Sequence, residues 1–124
     1  MKDSRDIWYE NALYDHVRSS LRKRYPSAAG WEIHMQYNGI TYIPDFVCQR
    51  RNNGIIEKVV CEVKGGSLNR ISQKDILQIN KYAQNLAGNN VRIIKKILAV
   101  PYGVNTSNVP PDIEIIRLKK FGYE

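Results

Sequence analysis

Pro44-Asp45-Phe46-Val47-Cys48-Gln49-Arg50-Arg51-Asn52-Asn53-Gly54-Ile55-Ile56-Glu57-Lys58-Val59-Val60-Cys61-Glu62-Val63-Lys64 is the stretch that decides how this chain folds. Two runs rich in β-branched and aromatic residues, Thr41 to Arg50 and Ile55 to Lys64, flank Arg51-Asn52-Asn53-Gly54. An Asn-Gly pair between such runs is a strong local signal for a two-residue hairpin turn. With Asn53 and Gly54 as the loop, residues whose numbers sum to 107 lie opposite one another, and Asp45 faces Glu62. Directly opposed Cβ atoms lie about 4.5 to 5.5 Å apart, and like charges at that spacing destabilise a sheet. A bound divalent cation removes the repulsion, so the pairing points to a metal site. Lys64 is two residues beyond Glu62 and shares its face, because side chains alternate along a strand. Cys48 and Cys61 fall on the opposite face, which favours core packing, and their spacing gives neither a zinc-ligand set nor a disulfide framework.

Working outward from the hairpin, Trp31, Ile33, Met35 and Tyr37 alternate with Glu32, His34 and Gln36, the period of a half-buried strand. Asn38-Gly39 signals another tight turn, and a two-residue loop there would set Glu32 opposite Asp45. From Asp6 to about Arg24, the apolar residues Ile7, Leu13, Tyr14, Val17 and Leu21 recur at helical spacing until Pro26 closes the stretch. Arg18, Arg22, Lys23 and Arg24 form its polar side, either solvated or facing phosphate. Ser72 with Asp75 resembles a capping pair, after which Ile76, Ile79, Ala83 and Leu86 trace a second helix that stops near Gly88. Val91 to Val100 and Ile113 to Leu118 are strand-like, joined through Pro101, Gly103, Pro110 and Pro111. The expected order is α-β-β-β-α-β-β, an α/β fold with a central mixed sheet flanked by helices.

A chain of 124 residues, 43% hydrophobic and 25% charged, has room for one domain spanning residues 1–124 and is long enough to bury a core without staples. No apolar run approaches a membrane span, and the charged start MKDSRDIWYE is unlike a signal-peptide core, so a cytoplasmic protein with no membrane partner is expected. The net charge of +7 and pI near 9.5 favour a polyanionic partner, nucleic acid first among them, although such charge can also serve solubility alone. His16 and His34 form no ligand or catalytic pattern.

Two carboxylates and a lysine on one face suit phosphodiester hydrolysis, which needs hard oxygen ligands for Mg²⁺ or Mn²⁺, a polarised phosphate and a cation near the nucleophile. Ile43-Pro44-Asp45, followed after a hairpin by Glu62-Val63-Lys64, resembles the PD-(D/E)XK nuclease superfamily, which has the restriction-endonuclease-like fold. The helix-strand-strand-strand-helix frame agrees over nearly the whole chain, from Glu10 to about Val100. The resemblance implies a DNA nuclease in which Asp45 and Glu62 hold Mg²⁺ or Mn²⁺ and Lys64 positions or activates the attacking water. In the family the first helix often supplies another acid, and Glu10, on the buried stripe of its helix, is the matching residue for metal or catalysis. Gln78-Ile79-Asn80-Lys81-Tyr82 resembles the Gln-x-x-x-Tyr motif of the RecB-like branch, which implies that Gln78 helps hold the site and Tyr82 the DNA. Arg50, Arg51, Arg70 and Lys74 flank the site in sequence and are candidates for phosphate contacts. Recognition of DNA structure or ends is expected. A Holliday-junction resolvase or a restriction-type homodimer is the alternative among nucleases, and a non-catalytic nucleic-acid-binding module is the alternative from another class. The opposed acids also predict that neutralising one of them, as in Asp45→Asn, stabilises the metal-free protein.

Overall fold

The computed structural model describes residues 4–35, 44–64 and 69–118, with side chains in the first helix described from Tyr14 onward. Helix α1 (Ser4–Arg24) is followed by Pro26 and a short 3₁₀ turn (Ser27–Ala29), which Gly30 closes at a φ of 89°. Strands β1 (Glu32–Met35), β2 (Phe46–Asn52) and β3 (Ile55–Val63) come next, then helix α2 (Gln73–Leu86), β4 (Val91–Pro101) and β5 (Ile113–Leu118). They form a five-stranded sheet in the order β1-β2-β3-β4-β5. β1, β2 and β3 pair antiparallel, whereas β3-β4 and β4-β5 are parallel, so the sheet is mixed. Among the described residues no helix is long and apolar enough to cross a membrane.

The β2-β3 hairpin has the register that its turn dictates. Phe46 pairs with Cys61, Cys48 with Val59 and Asn52 with Ile55, every pair summing to 107. Asn53 and Gly54 both take positive φ, 52° and 79°, as a primed two-residue turn requires.

The β1-β2 pairing differs from expectation. Glu32 lies opposite Gln49 and Met35 opposite Phe46, so Glu32 is four residues up β2 from Asp45. Pairs here sum to 81 where a two-residue loop at Asn38-Gly39 would need 77, so that loop is excluded, and Asn38-Gly39 itself lies outside the described residues. The reason is a matter of parity. A slip of one residue turns every side chain to the wrong face, but a slip of four leaves the faces unchanged, so hydrophobic alternation cannot choose between these registers. Ile33 settles opposite Cys48, and both pack in the same core cluster.

That cluster lies between the sheet and α1 and holds Val17, Leu21, Trp31, Phe46, Cys48, Val59, Cys61 and Ile97. A second lies on the other face, where Ile76, Ile79 and Ala83 of α2 meet Val60, Leu98, Val100 and Ile113. The sheet is thus covered on both sides, and the central parts of β3 and β4 have no solvent face. This explains the unbroken apolar run from Ile97 to Val100 in place of alternation. Cys48 and Cys61 are fully buried and unbridged, as core packing requires.

α2 starts at a full capping box: Ser72 accepts from the Asp75 amide, and the Asp75 carboxylate accepts from the Ser72 amide. It returns the chain from the end of β3 to the start of β4. The C-terminal end of β3, the start of β2 and the first half of α2 therefore meet at one edge of the molecule.

Candidate active site

Asp45 stands just before β2, behind a buried proline that has no N–H to offer a ladder. The expected strand from Thr41 thus starts at Phe46 among the described residues, and beyond Phe46-Cys61 side chains continue the pairing. The Asp45 amide donates to Glu62 Oε1 at 3.0 Å, and the Val63 amide donates to Asp45 Oδ2 at 2.8 Å. Each acid accepts a backbone N–H from the opposite segment, which fixes both carboxylates. Asp45 Oδ1 accepts a further hydrogen bond from the Tyr14 hydroxyl of α1 at 2.9 Å.

Among the described residues Glu62 is the one buried charged side chain, at 6% exposure. Burial, then the hydrogen bond and negative charge of Asp45, push its carboxyl up to about 8. Glu62 therefore keeps its proton at neutral pH.

Lys64 lies just past the end of β3, its amide bonded to the Ala99 carbonyl at 2.9 Å. Its Nζ is 4.0 Å from Glu62 Oε2, donates to Gln78 Oε1 at 2.7 Å and pairs with Asp75 Oδ1 at 3.2 Å. Gln78 in turn donates from Nε2 to the Tyr82 hydroxyl at 3.0 Å. Burial and then the Glu62 charge hold the Tyr82 phenol above its usual range. Burial opposes ionisation of Asp75, but the Ser72 amide and Lys64 outweigh it and hold that carboxyl below its usual range. Alongside runs a groove of about 510 Å³ lined by Lys64, Lys74, Asp75, Leu77, Gln78, Lys81 and Tyr82.

The structure thus brings Asp45, Glu62, Lys64 and Gln78 together, with Tyr82 behind Gln78 and Lys74 on the rim of the groove. It does not bring in Arg50 or Arg51. Arg50 is five residues from Asp45, roughly 16 Å along an extended strand, and points to the α1 face. There it pairs with Glu57 at 2.9 Å and lies 4.7 Å over the Trp31 ring. Arg51 is exposed, one residue nearer the turn. Strands are long and straight, so residues five or six apart on one strand are not neighbours, and neither arginine belongs to the cluster around Asp45 and Glu62. Arg70 is exposed in a short bridge to Asn105. Glu10 lies in α1, but its side chain is outside the described residues.

Three further residues join the site: Tyr14, whose spacing marks only the core stripe of α1, Asp75, whose spacing marks only a cap, and Lys81, which lies within the Gln-x-x-x-Tyr segment. Asp75 was accessible to inference: it precedes Gln78 by three residues and shares its helix face.

Oxygen ligation by this set suits a hard divalent cation. Glu62 Oε2 accepts no hydrogen bond among the described ones, and the proton held by the acids is the charge that a cation would replace. Among the described residues no group of three or more His, Cys, Asp or Glu side chains gathers to hold a metal. A pair of carboxylates is enough for Mg²⁺, which keeps several waters and commonly takes one or two carboxylates plus phosphate oxygens. No family model matches this chain, nor does any curated protein or solved structure.

Proposed function

We propose that this chain is a divalent-metal-dependent nuclease that hydrolyses phosphodiester bonds in DNA, on a restriction-endonuclease-like arrangement of its α/β core. The observation that carries the proposal is the Asp45-Glu62 pair, two carboxylates each held by a backbone amide of the opposite segment at the end of β3, with the Lys64 ammonium 4.0 Å from Glu62. A sheet with no use for two adjacent acids gains nothing from burying one of them.

Asp45 and Glu62 would hold Mg²⁺ or Mn²⁺, which supplies Lewis-acid polarisation of a phosphate and a water of lowered pKa. Binding of the ion would release the Glu62 proton to solvent. The hydrogen bonds from Tyr14 and from the Val63 and Asp45 amides keep both carboxylates in place, so little reorganisation accompanies binding. Lys64 places a positive charge beside the acids, where it orients the attacking water or neutralises charge developing on the phosphate. Gln78 holds the lysine and is itself held by Tyr82. Lys74 and Lys81 line the groove that leads away from Lys64 and supply cations for the phosphates of the DNA strand beyond the scissile bond.

The test is a panel of labelled single-stranded, duplex, flapped and four-way-junction DNA, each incubated with Mg²⁺, Mn²⁺ or EDTA. Cleavage is expected with metal and none with EDTA. Asp45→Ala and Glu62→Ala should each lose more than about 100-fold in rate, beyond what changes in the outer shell of a metal site produce. Undiminished cleavage in either variant would remove the pair from the mechanism.

A further inference from the structure

We infer that Asp75 is a positioning residue for Lys64, fixing the direction of the lysine's remaining N–H, over and above its role in capping α2. The inference rests on the nuclease reading for its catalytic consequence, though not for its geometry.

A capping box needs one acceptor oxygen from the residue at its third helical position. Asp75 supplies it with Oδ2, which accepts from the Ser72 amide at 2.9 Å and the Ser72 hydroxyl at 3.0 Å. Oδ1 is left over, and it lies 3.2 Å from Lys64 Nζ. The cap therefore anchors the very carboxylate that holds the lysine, so the orientation of that oxygen is set by the helix start and not by a free rotor.

A lysine ammonium has three equivalent donors on a flexible stem and no preferred direction of its own. Gln78 Oε1 takes one donor at 2.7 Å and Asp75 a second. Both holders stand on one turn of α2, three residues apart. The third donor is thereby left toward the acids, on the side where Glu62 Oε2 lies 4.0 Å away. The side chains of Lys64 and Asp75 are only 19% and 16% exposed, so their attraction is less screened than that of a surface pair. Gln78 alone would leave the ammonium free to swing about one bond.

Two variants separate the two roles of Asp75. Asp75→Asn keeps an oxygen for Ser72 but presents an amide N–H₂ to Lys64, which cannot accept. Ser72→Ala loses the hydroxyl and weakens the cap but keeps the backbone amide that holds Asp75 Oδ2, so Oδ1 still faces Lys64. In Asp75→Asn, kcat on the best DNA substrate should fall about ten-fold or more, the scale of a modest misplacement of a reacting group, while Kd for DNA in EDTA stays within about two-fold. In Ser72→Ala the melting temperature should fall while kcat stays within about two-fold of wild type. Unchanged kcat in Asp75→Asn, or a similar fall in both variants, would overturn the inference. Side-chain ¹⁵N NMR of the metal-free protein gives a readout independent of cleavage. The Lys64 ammonium signal, assigned by its loss in Lys64→Arg, should be protected from exchange in wild type and Ser72→Ala and lost in Asp75→Asn. If wild type cleaves no DNA, the nuclease reading fails, and this signal alone decides the positioning: equal protection in Asp75→Asn rejects it.

Discussion

A carboxyl buried against another carboxyl folds best with its proton on. Glu62 is raised from 4.5 to about 8, so the folded state binds that proton more tightly than the unfolded chain. The sign follows: the contribution of Glu62 to stability is greatest below the ordinary carboxyl range, declines as pH rises from about 4.5 to about 8, and is lowest above it. Glu62→Gln mimics the protonated acid, with an oxygen to accept from the Asp45 amide and an N–H₂ to donate to the Asp45 carboxylate. In EDTA it is expected to melt higher than wild type above pH 8, with the gap closing toward pH 4.5, as read by thermal melts across that range. Millimolar Mg²⁺ should narrow or reverse the order, because wild type alone keeps both ligands. The stabilisation anticipated for Asp45→Asn moves to Glu62 for a physical reason. Both Asp45 oxygens accept hydrogen bonds, from Tyr14 and from Val63, and an asparagine has only one acceptor oxygen. The opposition of the two acids was legible from a turn and simple arithmetic. Which of them is buried was not, since that depends on what α1 and α2 lay over each end of the pair.

At the scale of the element, the β2-β3 turn carries the alignment on which the site depends. Gly54 sits at a φ of 79°, where a side chain is strained even though an added Cβ would meet nothing within 4 Å. Gly54→Ala is expected to cost about 1 kcal/mol in urea denaturation, with the slope unchanged. This turn and the Ser72-Asp75 cap could be read in advance because a few adjacent residues determine each. The β1-β2 register could not, because a shift by an even number of residues keeps Ile33 facing the same core. The contact between Tyr14 and Asp45 escaped for a related reason: nothing local to either residue says how α1 is set over the sheet.

For the whole molecule, Lys64, Lys74 and Lys81 line the groove beside the acids together with Asp75, whereas Arg50 meets Glu57 and Trp31 on the far side of the sheet. DNA affinity measured in EDTA should therefore fall with salt, and the slope of log K against log[salt] should shrink by about 0.7 to 0.9 in Lys74→Ser or Lys81→Ser. Arg50→Ser should leave the slope as it is. The three-layer α/β organisation was foreseeable because apolar stripes on two helices demand a sheet between them. The distribution of basic residues over its two faces had to await the tertiary arrangement. One further consequence arises where the ladder gives way to carboxylates. The amides of Asp45 and Val63 each end on an acid oxygen that a cation would pull on. Their proton and nitrogen resonances should therefore move together, and in proportion to loading, when Mg²⁺ is titrated into protein free of DNA. Two backbone signals on neighbouring segments would then count occupied molecules directly, giving an affinity for the ion from a protein at rest.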